Sequence, residues 1–112
     1  MKPVVIESPY AGNVAENLAY LADCVRDCLR RDEAPFASHG FYTQYLDDTI
    51  PEQRALGMEA GETWACLAAK RVVYTDLGIS PGMRMGILVA KRLGQYIEYR
   101  TLSEWRKGLK NA

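Results

Sequence analysis

Residues 71–94, RVVYTDLGISPGMRMGILVAKRLG, specify a strand–loop–helix unit, and that unit limits the folds open to the chain. Val72-Val73-Tyr74 is a β-branched and aromatic run of the kind that makes a buried strand, ending at Asp76. Leu77-Gly78-Ile79 forms a short loop, and Ser80 then offers an N-cap. Pro81 fits the first helical position, where its missing N–H costs nothing. The helix runs to about Leu93 and stops at Gly94.

The same alternation fills the rest of the chain, without repeats or low-complexity stretches. Strand one is Val4 to Glu7, followed by the loop Ser8-Pro9-Tyr10-Ala11-Gly12. Asn13 caps the first helix, with Glu16 as the far half of a capping box. Val14, Leu18, Leu21, Val25 and Leu29 give that helix an apolar face. Strand two spans about Pro35 to Ser38, and an irregular stretch runs from His39 to Ile50. Pro51 opens a second helix to about Ala69, with Leu56, Met58, Trp64 and Leu67 as expected core contacts. Tyr96 to Tyr99 is strand four; Thr101 and Glu104 cap a short terminal helix on which Trp105 is a docking anchor. Right-handed crossovers then predict an α/β fold: one parallel sheet in the order 2-1-3-4, with helices on both faces. Its topological switch point lies between strands one and three, where the loops at Ser8–Asn13 and Asp76–Arg84 flank a crevice.

Composition removes several classes of function. The 112 residues make one domain. Fourteen basic and fourteen acidic residues cancel, which argues against a nucleic-acid polymer as partner. No apolar run has the ~18 residues of a membrane span, and the N-terminus enters a strand without a signal-peptide stretch. Three cysteines fit a reduced, cytoplasmic protein, and all three are expected to be buried. With one histidine in the chain, no metal site is expected.

The crevice gathers the chemistry. The N–H groups and dipole of the helix after Ser80 suit a phosphate or carboxylate, and Gly82 lets a ligand approach the backbone. Tyr10, Gly12, Asn13, Asp76, Ser80 and Gly82 share this pocket, and Arg84 adds a bidentate anion donor one turn on. His39 is either a hydrogen-bonding or general-acid group, or a loop histidine pinning the backbone. Tyr42, with Phe41 and Tyr45, either stacks on a base or plugs a core or an oligomer contact.

The ESPYAGN loop resembles the opening of nucleoside 2-deoxyribosyltransferases and deoxynucleoside 5′-monophosphate N-glycosidases. The likeness extends over about residues 3 to 100 through the acid-bearing second helix and the Ser/Gly loop. A nearer likeness is to small phage and prophage proteins with a Gly-Ile-Ser-x-Gly-Met loop, here Gly78 to Met83. The resemblance implies a flavodoxin-like (Rossmann-like) fold and a nucleotide-like ligand. It places Tyr10, within the Ala11-Gly12-Asn13 loop, beside the sugar and Glu62 as an acid before strand three. It places Ser80, Pro81, Gly82 and Met83 around a 5′-phosphate. Those enzymes use a glutamate at the start of the third helix as nucleophile, and the matching place here falls on Arg84, which cannot do that work. The expectation is therefore a cofactor-free nucleotide-binding protein, phage-type in its sequestering or receptor role. One alternative is an N-glycosidase or deoxyribosyltransferase with rearranged carboxylates, Glu62 and Asp76. The other is an oligomeric interaction module with a vestigial pocket. A homodimer or higher homo-oligomer is expected to complete the pocket.

Overall fold

A computed structural model describes residues 1–102. The elements are β1 (Lys2–Glu7), α1 (Val14–Arg30), β2 (Glu33–Phe36), α2 (Ser38–Phe41), a 3-10 turn (Tyr42–Gln44), α3 (Pro51–Ala65), β3 (Lys70–Tyr74), α4 (Pro81–Leu93) and β4 (Ile97–Arg100). The four strands form one sheet in the order β2-β1-β3-β4, and every pairing is parallel. Tyr10 follows β1 and Asp76 follows β3, at the same carboxyl edge of the sheet. The expected topology is the observed one. The expected terminal helix and Trp105 lie outside the described residues.

Strand alternation divides the core in two. Val4, Ile6, Val72 and Tyr74 meet Tyr20, Leu21, Cys24 and Cys28 of α1. On the other face Val73 packs with Met83 and Ile87 of α4. The buried face of α1 is thus Asn17-Tyr20-Leu21-Cys24-Cys28, rotated from the predicted Val14–Leu29 stripe. Val14, Leu18 and Leu29 are exposed. Tyr20 decides the rotation, because its hydroxyl must reach Asp76 beyond the end of β3.

The second helix departs further from expectation. Leu56, Met58, Trp64 and Leu67 are exposed, and α3 buries only Gly61 and Ala65. Small residues allow its close approach: a Cβ at Gly61 would stand 2.5 Å from the Ser38 Cβ. Cys66 is likewise exposed, unlike Cys24 and Cys28. The His39–Ile50 stretch is partly ordered into α2 and the 3-10 turn rather than irregular throughout.

Candidate active site

A cavity of about 300 Å³ opens at the carboxyl edge of the sheet. It is walled by the loop after β1, the α2 segment, α3 and the first turns of α4. Asn17, buried on α1, donates to the Tyr10 and Ala11 carbonyls at 2.9 and 3.1 Å, fixing the first wall. Ser80 accepts from the Met83 N–H at 3.2 Å, so the predicted N-cap of α4 is formed.

Most of the predicted ligand-binding residues line this cavity: Tyr10, Ala11, His39, Tyr42, Ser80, Pro81, Gly82 and Met83, with Glu62 beside them. Gly12, Asn13, Gly78, Arg84 and Asp76 do not. Gly12 and Gly78 serve their loops through positive φ, at 97° and 84°, and Asn13 caps α1. Arg84 is exposed on α4, away from the cavity wall. Asp76 is removed as an acid of the pocket by its partners. It accepts from the Tyr20 hydroxyl at 2.5 Å and from the Leu102 N–H at 2.9 Å, and so fastens the segment after β4.

The acid at the floor of the cavity is Glu7, the last residue of β1, a position the sequence reading passed over. Arg71, fully buried on β3, donates to Glu7 at 3.2 Å and to both Glu62 oxygens at 3.0 and 3.1 Å. The same Nη1 also donates to the Gly86 carbonyl at 2.8 Å, and Nε donates to Gln95 at 3.1 Å. Nη1 carries two hydrogens for three acceptors, and Glu7 is the most distant of the three. Burial, opposed by Arg71 and reinforced by the Glu62 charge, pushes the Glu7 carboxyl up to about 7. Gly86 makes room for it. A Cβ at position 86 would collide with the Glu7 carboxylate, which occupies the space a side chain from α4 would fill.

A second polar pair sits beside the first. Ser8 Oγ and His39 Nε2 are 2.7 Å apart, and burial lowers the imidazole to about 4, so it is neutral at pH 7. On the rim, Arg54 donates to Asp48 at 2.8 Å, and its guanidinium lies over Gly82. The sequence signals that were available were an acid ending a buried strand (Glu7) and an arginine inside one (Arg71). Each is rare enough in a buried strand to demand a partner. Among the described residues no group of His, Cys, Asp and Glu is disposed to hold a metal ion. None of the described helices is long and apolar enough to cross a membrane.

A family model described as a domain of unknown function (DUF7768) matches residues 2–100. The chain belongs to that family. No curated protein matches it. Among solved structures it is similar to a 2-deoxyribosyltransferase from the psychrotolerant bacterium Bacillus psychrosaccharolyticus. The TM-score is 0.64 at 12% identity, over 88% of this chain and 72% of that one. The likeness is one of fold: this domain of the DUF7768 family shares its Rossmann-like architecture with that protein.

Proposed function

We propose that the cavity binds a nucleoside 5′-monophosphate and that Glu7 acts on its N-glycosidic bond. The observation that carries this reading is the Glu7 carboxylate lying in the side-chain space of Gly86, at the cavity floor. The deoxyribosyltransferase-like fold supports the ligand class. The resemblance puts a nucleophilic glutamate at the start of the third helix, where this chain carries Arg84; here β1 would supply the acid, its carboxylate lying against Gly86 of that helix. With Arg84 exposed, no fixed cation on α4 opposes positive charge developing on the sugar. The phosphate would take the Gly82 N–H at the start of α4, with Arg54 exchanging Asp48 for it.

In this mechanism the Glu7 carboxylate attacks C1′ while the C1′–N bond breaks. The base leaves with the electron pair and takes a proton from water. The hydroxide so formed cleaves the sugar–Glu7 ester, releasing the sugar 5′-phosphate and restoring Glu7. One water is consumed overall. Glu62 holds Arg71, and Arg71 holds Glu7, so both are positioning residues.

One observation favours a second reading, binding without turnover, in a receptor or sequestering role of the phage type. Glu7 is tied to Arg71, which restrains its approach to a ligand. The two readings separate in one experiment. The protein is titrated calorimetrically with each nucleoside monophosphate, and free base is measured by chromatography. Glycosidic chemistry predicts base release by the parent, rising with pH through about 7 and absent in Glu7→Gln, which still binds. Binding without release identifies the receptor reading, and neither binding nor release overturns both. Ser80→Asp should weaken nucleotide binding by more than ~1 kcal/mol in either case.

A further inference from the structure

Helix α3 is too apolar for the little it buries. Leu56, Ala60 and Trp64 recur every four residues and so share one side of it, continued by Leu67. Leu56, Trp64 and Leu67 are 57%, 58% and 72% exposed. Beside this stripe stand Phe41 at 46% and Tyr45 at 72%, and a shallow groove runs between, lined by Phe41, Tyr42, Tyr45, Leu46, Leu56 and Ala60. Aromatic side chains cover about 150–250 Å² each when buried, so these five exposed residues leave on the order of 500 Å² of apolar surface open. That is the size of the largest patch on an ordinary monomer, and it approaches the ~800 Å² that each partner gives to a standard interface.

We propose that a second copy of this chain covers the stripe in a two-fold dimer. One feature selects that occupant. The patch carries both a groove and projecting side chains, Tyr45 and Leu67, which is what a self-complementary contact between identical surfaces needs. The dimer also bears on the cavity. Tyr42 and Leu46 are walls of both the cavity and the groove, so the partner fixes one side of the ligand site from behind. The dimer itself stands on the exposed stripe and does not depend on the nature of the ligand.

Sedimentation equilibrium tests this on the full chain. The parent should run at twice the 12.6 kDa chain mass at micromolar concentration. Trp64→Glu and Leu56→Glu should each weaken association by about a hundredfold or more, whereas Trp64→Phe should retain it. Leu18→Glu, on the exposed side of α1, should leave the dimer intact. Circular dichroism shows whether each variant folds. If the glutamate variants do not, hydrogen exchange on the parent decides: protection of residues 41–46 and 56–67 should rise with protein concentration. A parent that stays monomeric at 100 μM would overturn the proposal and leave the stripe to a different partner. Loss of the dimer in Leu18→Glu alone would place the interface on α1 and overturn it equally.

Discussion

Two buried arginines organise the two faces of this sheet, and they do so with opposite electrostatic results. Arg100 meets Glu33 through paired bonds of 2.6 and 2.7 Å, and it also donates to Glu98 and to the Tyr74 hydroxyl. Lys70 bonds both glutamates at 2.9 Å. Two cations balance two carboxylates, and hydrogen bonds from Arg100 hold Glu33 down at about 2. Arg71 faces two carboxylates alone, so that cluster carries one surplus negative charge when both are ionised. Glu7 rises to about 7, chiefly by desolvation, with the Glu62 charge adding to it. The unbalanced network floors the candidate active site, which Glu33, Lys70, Glu98 and Arg100 do not line. Desolvation that one guanidinium does not offset, with the Glu62 charge added to it, distinguishes the Glu7 cluster from the Glu33 one.

The largest expected effect breaks the balanced side. Glu33→Gln removes the paired acceptor and leaves Arg100 and Lys70 with one carboxylate between them. Loss of one partner from a buried pair costs about 3–5 kcal/mol, which urea unfolding at pH 7 measures directly. The parent should lose this contribution as pH falls from about 4.5 toward 2, because the depressed Glu33 carboxyl must then be protonated. A loss below ~1 kcal/mol would mean that the Arg100 network is not the staple its geometry suggests.

The matching change on the other face should have the opposite sign. The folded Glu7 binds its proton up to about 7, against 4.5 for an ordinary glutamate, so its stabilising contribution is complete below 4.5 and is lost by pH 7 and above. That difference is on the order of 3 kcal/mol, and Glu7→Gln should recover part of it at pH 8, about 1–2 kcal/mol. At pH 5 the gain should vanish. Destabilisation at pH 8 would show that the Arg71–Glu7 attraction outweighs desolvation.

Much of this architecture is legible in the sequence because local signals agree with global topology. The β-branched runs, the Asn13 and Ser80 caps and the Gly94 stop all select the observed elements. Handedness then fixes the order. The cavity residues legible in the sequence are loop and cap residues such as Tyr10 and Ser80–Gly82, with Glu62, His39 and Tyr42 from the segments between β2 and β3. The pairing of Glu7 with Arg71 was not legible, because it joins β1 and β3 across 64 residues and needs Gly86 to admit it. Asp76 misled for the same reason: its partner Tyr20 lies 56 residues away and takes it out of the crevice. The exposed α3 stripe looked like core because spacing cannot say which surface covers a helix.

A smaller effect sharpens the comparison through pH alone. His39 is held neutral down to about 4, so the unfolded chain takes its proton first and stability falls as pH drops from 6.5 to 4. Glu7 gives the reverse slope between about 4.5 and 7, and the two should nearly cancel in the parent. Unfolding midpoints measured across pH 4.5–6.5 should therefore be almost flat in the parent. They should rise with pH in Glu7→Gln and fall with pH in His39→Gln. Parallel slopes in the two variants would break the assignment.

Gly86→Ala should give the smallest change in stability and an informative change in function. Alanine in a helix interior is favoured over glycine by up to about 1 kcal/mol. Against that, the new Cβ occupies the place of the Glu7 carboxylate, which is the flexible end of its side chain and can move aside. Moving it lengthens a bond to Arg71 that is already the longest of the three on that nitrogen. These terms oppose each other, and the net change in urea unfolding should stay within about 1 kcal/mol. Base release, if the parent has it, should nevertheless drop at least tenfold, since Glu7 no longer points where the ligand lies. Gly61→Ala is the contrast: its Cβ would meet the Ser38 Cβ, next to the backbone, and no flexible end can yield. A Gly86→Ala protein with parental activity would show that Glu7 need not occupy the α4 side-chain space, and the strand-borne acid would lose its structural basis.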